Sequence, residues 1–174
     1  MSDNLGITVG TQAPEFSLPA STGVEIALAN FYSKKNVYLF FVREYNWMQC
    51  RSHAAQLGRL YKEFQVVNYE ILLILGAPIE KAKAYAESLH LPYPVLADPE
   101  RNTYRRYGLE KTLIFIQRTA SVVLDQYGII RYMKSATNPI VWLQESQEIL
   151  NFIKSMPVTG GWSEAMMDID GCEV

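Results

Sequence analysis

Cys50 is the residue of this chain best suited to covalent chemistry. It stands in the run Tyr45-Asn46-Trp47-Met48-Gln49-Cys50-Arg51-Ser52-His53, between a stretch that reads as a buried strand and one that reads as a helix. A thiol in the first turn of a helix meets unpaired N–H groups and the positive end of the helix dipole. Both favour the thiolate, which is the nucleophilic form. Arg51 is a cation that could stabilise that charge, and His53, one turn further on, could face the sulfur. Each has a plainer structural role open to it, as a solvated surface arginine and a satisfied helix histidine. Trp47 either covers the thiol and contacts a substrate or packs as a loop aromatic. For Cys50 itself the alternative is an inert, small, buried cysteine.

The elements around these residues follow from patterning. Val37–Val42 is a continuous apolar run of β-branched and aromatic residues, as in a strand buried on both faces, and residues 50–65 carry Ala54, Leu57, Leu60, Tyr61 and Phe64 at helical spacing. Before them, residues 13–19 and 24–28 alternate about the turn Ser21-Thr22-Gly23 and predict an N-terminal hairpin. After them come a second buried strand over Tyr69–Leu75, a helix opened by Pro78 and ended at His90-Leu91-Pro92-Tyr93-Pro94, and a short strand at Val95-Leu96. A short helix over Arg101–Tyr107 then stops at Gly108. Ser121–Leu124 and Ile129–Met133 flank Asp125-Gln126-Tyr127-Gly128 as a further hairpin, and a last helix is expected over 141–155 with Trp142, Ile149, Ile153 and Met156 on one face. The order predicts an α/β fold: a thioredoxin-like mixed sheet flanked by helices, preceded by the β-hairpin. Residues 1–156 read as one domain and 157–174 as a flexible C-terminal tail.

The chain has 174 residues, a net charge of −2 and sixteen lysines and arginines that form no long patch, which argues against nucleic acid as the main partner. The first residues carry neither a basic nor an apolar leader region, and the longest apolar runs fall far short of the roughly 20 residues of a membrane span. A cytoplasmic protein in a reducing compartment is expected, without a disulfide framework. Cys50, Cys172, His53 and His90 do not make a zinc set, and no metal or organic cofactor is implied.

Several segments in this order resemble the peroxiredoxins, the AhpC/TSA group of the thioredoxin fold. They are Val9-Gly10-Thr11-Gln12-Ala13-Pro14-Glu15-Phe16-Ser17-Leu18, the strand–Cys50–helix unit, Leu96-Ala97-Asp98-Pro99 with Tyr107-Gly108, and Val122-Val123-Leu124-Asp125-Gln126-Tyr127-Gly128-Ile129-Ile130, spanning about residues 9–155. The resemblance implies a thiol peroxidase, in which Cys50 attacks a peroxide, becomes a sulfenic acid and is reduced through a disulfide. It places the family's active-site arginine at Arg118, one residue early relative to Asp125. Many of these proteins draw a resolving cysteine from a C-terminal arm, which makes Cys172 the candidate here, acting on its own chain or on a partner subunit of a homodimer. The family motif has a proline seven residues before the peroxidatic cysteine and a threonine or serine three before it; this chain has Arg43 and Trp47 there. Against the thioredoxin Cys-x-x-Cys, only the second cysteine is kept. The run Arg43-Glu44 to Leu57 looks like a divergent peroxiredoxin-like branch.

The reading expected is a cytoplasmic thiol oxidoreductase that reduces hydrogen peroxide or an organic hydroperoxide, with thioredoxin or a small thiol as reductant. Its rival is a thioredoxin-fold binding or scaffold protein that uses the altered loop, with Arg43 and Trp47, as a contact surface. Retention of Cys50 favours the first; the two replaced motif positions favour the second. The fold by itself does not separate them.

Overall fold

The computed structural model describes residues 7–42, 44–109, 119–136 and 145–156. The N-terminal hairpin forms from β1 (Ser17–Pro19) and β2 (Glu25–Ala27), antiparallel with Leu18 opposite Ile26, and runs into a 3-10 turn at Leu28–Phe31. Then come β3 (Asn36–Val42), α1 (Met48–Val66), β4 (Tyr69–Leu75), α2 (Ile79–Ser88), β5 (Val95–Ala97), α3 (Asn102–Arg106), β6 (Thr119–Leu124), β7 (Ile130–Ala136) and α4 (Glu145–Ser155). The main sheet has the order β5-β4-β3-β6-β7. β3 is central, parallel to β4 and antiparallel to β6, while β5 joins β4 in parallel and β7 closes the other edge antiparallel to β6. This is the mixed α/β sheet with a separate hairpin that the patterning predicts.

Both faces of β3 are buried, so its alternate residues feed two cores. Tyr38, Phe40 and Val42 point to the face covered by α1, α2 and α4, with Ala54, Leu57, Phe64, Ala82 and Ile149. Val37, Leu39 and Phe41 point to the other, with Phe16, Leu28, Tyr104 and Tyr107. Each large side chain so buried contributes on the order of 2 kcal/mol.

The C-terminal ends of β3 and β4, from which the Cys50 loop and its neighbour depart, are tied from below. Asp98, 2% exposed, accepts the backbone N–H groups of Asn102, Thr103 and Tyr104 at 3.1, 2.9 and 3.3 Å and so fixes the start of α3. That carries the Tyr104 hydroxyl to the carbonyls of Val42 (2.7 Å) and Ile74 (2.8 Å). The Asp98-Pro99 segment thus acts on the end of the sheet next to Cys50 through a tyrosine six residues on.

Three boundaries differ from expectation. α1 begins at Met48 rather than near 50, because Trp47 is already extended (φ −76°, ψ 122°) and serves as N-cap. β6 and β7 are longer than expected, since Thr119 and Ala120 pair with Ala136 and Ser135. The last helix is seen from Glu145; the first part of the expected 141–155 helix, with Trp142, lies outside the described residues, as does the tail 157–174.

Candidate functional site

β3 ends at Val42, and after a short loop α1 starts at Met48, so Cys50 is the third residue of the helix. Trp47 offers no side-chain cap and the first turn holds no acidic residue. The first-turn N–H groups therefore remain directed at whatever negative charge develops there. Cys50 is a free cysteine. It is only 6% exposed. Its sulfur lies 3.9 Å from the hydroxyl of Thr119, at the start of β6.

The chemistry expected of the neighbours is redistributed. Arg51 turns outward along α1: its guanidinium lies 5.5 Å above the Tyr85 ring and donates to Ser88 Oγ at 3.1 Å, so it fastens α1 to α2. His53 is fully buried. Its Nε2 is 3.4 Å from the Tyr38 hydroxyl, its Nδ1 3.5 Å from Ser146 Oγ, and its ring packs on Phe40 with centroids 4.5 Å apart. It links α1 to β3 and α4. Trp47 is half-buried against the core cluster that contains Cys50. Arg43, Arg118 and Cys172 lie outside the described residues.

Beneath the thiol runs a buried polar layer that the sequence reading did not pick out. Thr119 and Ser121 alternate along β6 with Ala120 between them, so both point to the α1 face. Ser121 Oγ meets the Tyr38 hydroxyl at 2.8 Å. Glu145, the first residue of α4, is fully buried beside this pair, and neither carboxylate oxygen makes a hydrogen bond of normal geometry. Burial pushes its pKa up to about 8; Lys134 and the nearby Ser121 and Tyr132 hydroxyls work against the rise and Glu148 adds to it. On the α2 side, Tyr85 is 2% exposed and its hydroxyl is without a partner. Glu145 and Tyr85 carry no local signal in the sequence. Period-two polarity at Thr119 and Ser121 in an otherwise apolar strand was the one available clue.

A shallow depression lined by Asn46, Met48, Arg51, Ser52, Ala55 and Leu89 borders this turn of α1. Cys50 is not among the residues that line it.

Solved structures share this fold. Peroxidoxin BcpB from Mycobacterium tuberculosis superposes with a TM-score of 0.78 at 22% identity, covering 87% of this chain and 99% of that one. Peroxiredoxin Q from Xanthomonas campestris does so with a TM-score of 0.73 at 14% identity, over 80% of this chain and 89% of the other. In sequence, chloroplastic peroxiredoxin Q of Suaeda salsa is 24% identical over 151 residues, which are 86% of this chain and 69% of that protein. Peroxiredoxin bcp1 of Schizosaccharomyces pombe is 26% identical over 105 residues, and there the chain spans 54% of its relative. The family model of AhpC/TSA matches residues 9–133, from the N-terminal segment through Cys50 and α1 to the β6–β7 hairpin, and the chain belongs to that family.

Proposed function

We propose that this protein is a thiol peroxidase that reduces hydrogen peroxide or organic hydroperoxides through Cys50, with thioredoxin or a small thiol as reductant. The observation that carries the reading is the place of the Cys50 sulfur: third residue of a helix that follows the central strand, nearly buried, 3.9 Å from a hydroxyl. The thiolate would attack the terminal oxygen of the peroxide, forming the S–O bond as the O–O bond breaks. The sulfur becomes a sulfenic acid and the departing oxygen leaves as alcohol or water after taking a proton. A thiol then attacks the sulfenic sulfur, giving a disulfide and water, and a second thiol releases Cys50. A reducing, cytoplasmic setting suits this cycle. Arg118, next to Thr119 in sequence, is the cation assigned to assist the thiolate, and Cys172 is the candidate internal resolving thiol.

A second reading has one specific observation behind it. Arg43 and Trp47 replace the motif proline and hydroxyl, which fits a thioredoxin-fold binding protein that uses this loop as a contact surface and does not turn over peroxide.

Peroxide consumption by wild type and Cys50→Ser, with trapping of the sulfenic acid, decides between them. The enzyme reading expects a dimedone adduct on Cys50 and turnover lost in Cys50→Ser; a reduced Cys50 that yields no adduct under peroxide overturns it. Non-reducing peptide mapping of the same samples assigns the second thiol. A Cys50–Cys172 peptide means internal resolution, and a mixed disulfide with added thiol means external.

A further inference from the structure

Under the start of α4 lies a buried polar cluster that the chemistry at Cys50 does not use. Glu145 and Ser146, the first two residues of the helix, are both fully buried. Ser146 Oγ faces Nδ1 of His53, on α1, at 3.5 Å. His53 Nε2 in turn faces the Tyr38 hydroxyl of β3, which meets Ser121 Oγ of β6 at 2.8 Å. These groups partner one another, but among the described residues neither Glu145 oxygen makes a hydrogen bond of normal geometry. The groups that bear on that carboxyl are Tyr132 and Lys134 from β7, Ser121 from β6, Tyr38 from β3 and Glu148 one turn along α4. A carboxylate shut away from water without donors carries the full cost of desolvation, and the neutral acid does not. The docked helix therefore takes up the proton. Burial raises the Glu145 pKa to about 8, with Lys134, Ser121 and Tyr132 offsetting only part of the rise and Glu148 adding to it. The helix adds no strand to the sheet, so its start can lift without breaking a sheet hydrogen bond. Its far end is held separately, by the Tyr132–Phe152 ring contact at 5.5 Å and the exposed Lys154–Glu63 ion pair at 2.6 Å.

We propose that Glu145 is a proton-operated latch: protonated, it lets the start of α4 lie on the sheet and on α1; ionised, it releases that end of the helix and uncovers His53. The carboxyl proton passes to solvent, and no other bond is made or broken. The sign follows from linkage. The released carboxyl ionises near its ordinary value of 4.5 and the docked one near 8, so rising pH favours release. Release grows about tenfold per pH unit between those values and levels off above them. The latch goes beyond the peroxidase reading and does not depend on it.

The test follows amide hydrogen exchange and histidine modification in wild type and Glu145→Gln, each as the full chain. The two proteins are compared at the same pH, so the intrinsic pH dependence of exchange cancels. Between about pH 5.5 and about pH 7.5 the ratio of wild-type to variant exchange over the α4 amides should rise about a hundredfold, because the variant has no carboxyl to ionise. At the higher pH the wild-type α4 amides should also be at least about tenfold less protected than those of β3 and β4, which report opening of the whole fold. Diethyl pyrocarbonate supplies the second readout. His53 is fully buried, His90 is exposed and the chain has no other histidine, so His90 is an internal reference. At about pH 7.5 the ratio of His53 to His90 modification should be at least about tenfold greater in wild type than in the variant. A ratio of α4 exchange that does not move with pH would overturn the proposal. So would α4 amides as well protected as those of β3 and β4, since Glu145 would then act only on the stability of the whole fold. A His53 that reacts alike in the two proteins would overturn it as well. None of these readouts involves Cys50, so failure of the latch leaves the peroxidase reading standing.

Discussion

Three residues before Cys50 stands the side chain that decides which thiol chemistry is open to this site. In a dithiol oxidoreductase that position carries the exposed attacking sulfur; here it carries Trp47, half-buried and acting as the N-cap of α1. With Trp47 there, Cys50 lacks the paired thiol one turn away through which a dithiol site attacks a substrate disulfide and resolves the mixed disulfide. Insulin reduction by dithiothreitol should accordingly run within about twofold of the uncatalysed rate with wild type. Trp47→Cys, which restores a pair across one helical turn, should accelerate it. Strong acceleration by wild type that disappears in Cys50→Ser would refute this view of the site. Cys50 could be found from sequence because a strand pattern and a helix pattern meet beside it. Its hydroxyl neighbour could not, because Thr119 is 69 residues away in the chain and comes close only through the pairing of β6 with β3. His53 shows the reverse problem. Spacing places it one turn from Cys50, but only the packing of α1 on β3 and α4 reveals that it serves as a buried tie between elements.

Helix α4 begins with a charge in the wrong place. Glu145 is fully buried with neither oxygen in a hydrogen bond of normal geometry, and burial raises its pKa from 4.5 to about 8, with Lys134 and the nearby Ser121 and Tyr132 hydroxyls opposing and Glu148 reinforcing the shift. The consequence for stability has a definite sign. Below about pH 4.5 the carboxyl is protonated in the folded and unfolded chains alike, and no penalty arises. Between about 4.5 and 8 only the unfolded chain ionises, so the fold loses stability as pH rises, by up to roughly 3 kcal/mol at pH 7. Above 8 the loss levels off. Glu145→Gln should therefore be more stable than wild type at neutral pH, with a urea midpoint that varies less between pH 5 and 8. An identical pH dependence in the two proteins would show that Glu145 is not held neutral by the fold. Such a residue is hard to foresee: a glutamate in the first turn of a helix normally reads as a solvated complement to the dipole. The apolar spacing that predicts α4 holds, since Ile149, Ile153 and Met156 are all buried. Spacing of that kind reports which face is apolar but not whether a polar residue at the helix end is covered by a neighbouring sheet.

Across the whole molecule, the central sheet separates two cores that do different work. One, beneath α1, α2 and α4, contains Cys50; the other lies under the N-terminal segment, the hairpin and α3. Element order was legible because turns and breakers punctuate the chain. The division into two faces was not, since β3 and β4 are apolar at nearly every position and a strand buried on both sides has no period to read. The second core is held shut by the N-terminal segment, which clasps the β6–β7 turn. Gly10 donates to the Ile130 carbonyl at 2.8 Å, Ala13 to that of Gly128 at 2.9 Å, and Ile130 to that of Thr11 at 3.0 Å. Asp125 shapes the turn by accepting the N–H groups of Tyr127 (2.8 Å) and Ile129 (3.0 Å) while paired with Arg131 at 2.6 Å. Gly128 has φ +77°, and a Cβ there would stand 2.6 Å from both Gln12 Nε2 and the Tyr32 ring, with Tyr32 itself fixed by its hydrogen bond to Glu15. Gly128→Ala must therefore adopt a left-handed conformation and also displace the clasp. The cost is about 2 kcal/mol or more, a fall in melting temperature of roughly 4–8 °C for a chain of this size. Because the clasp belongs to the core on the other face of the sheet, alkylation of Cys50 in the folded variant should keep its wild-type rate. A variant that melts like wild type would mean that the N-terminal segment yields freely at the turn. One whose Cys50 reactivity changes along with its stability would mean that the two cores are coupled through the sheet and do not act separately.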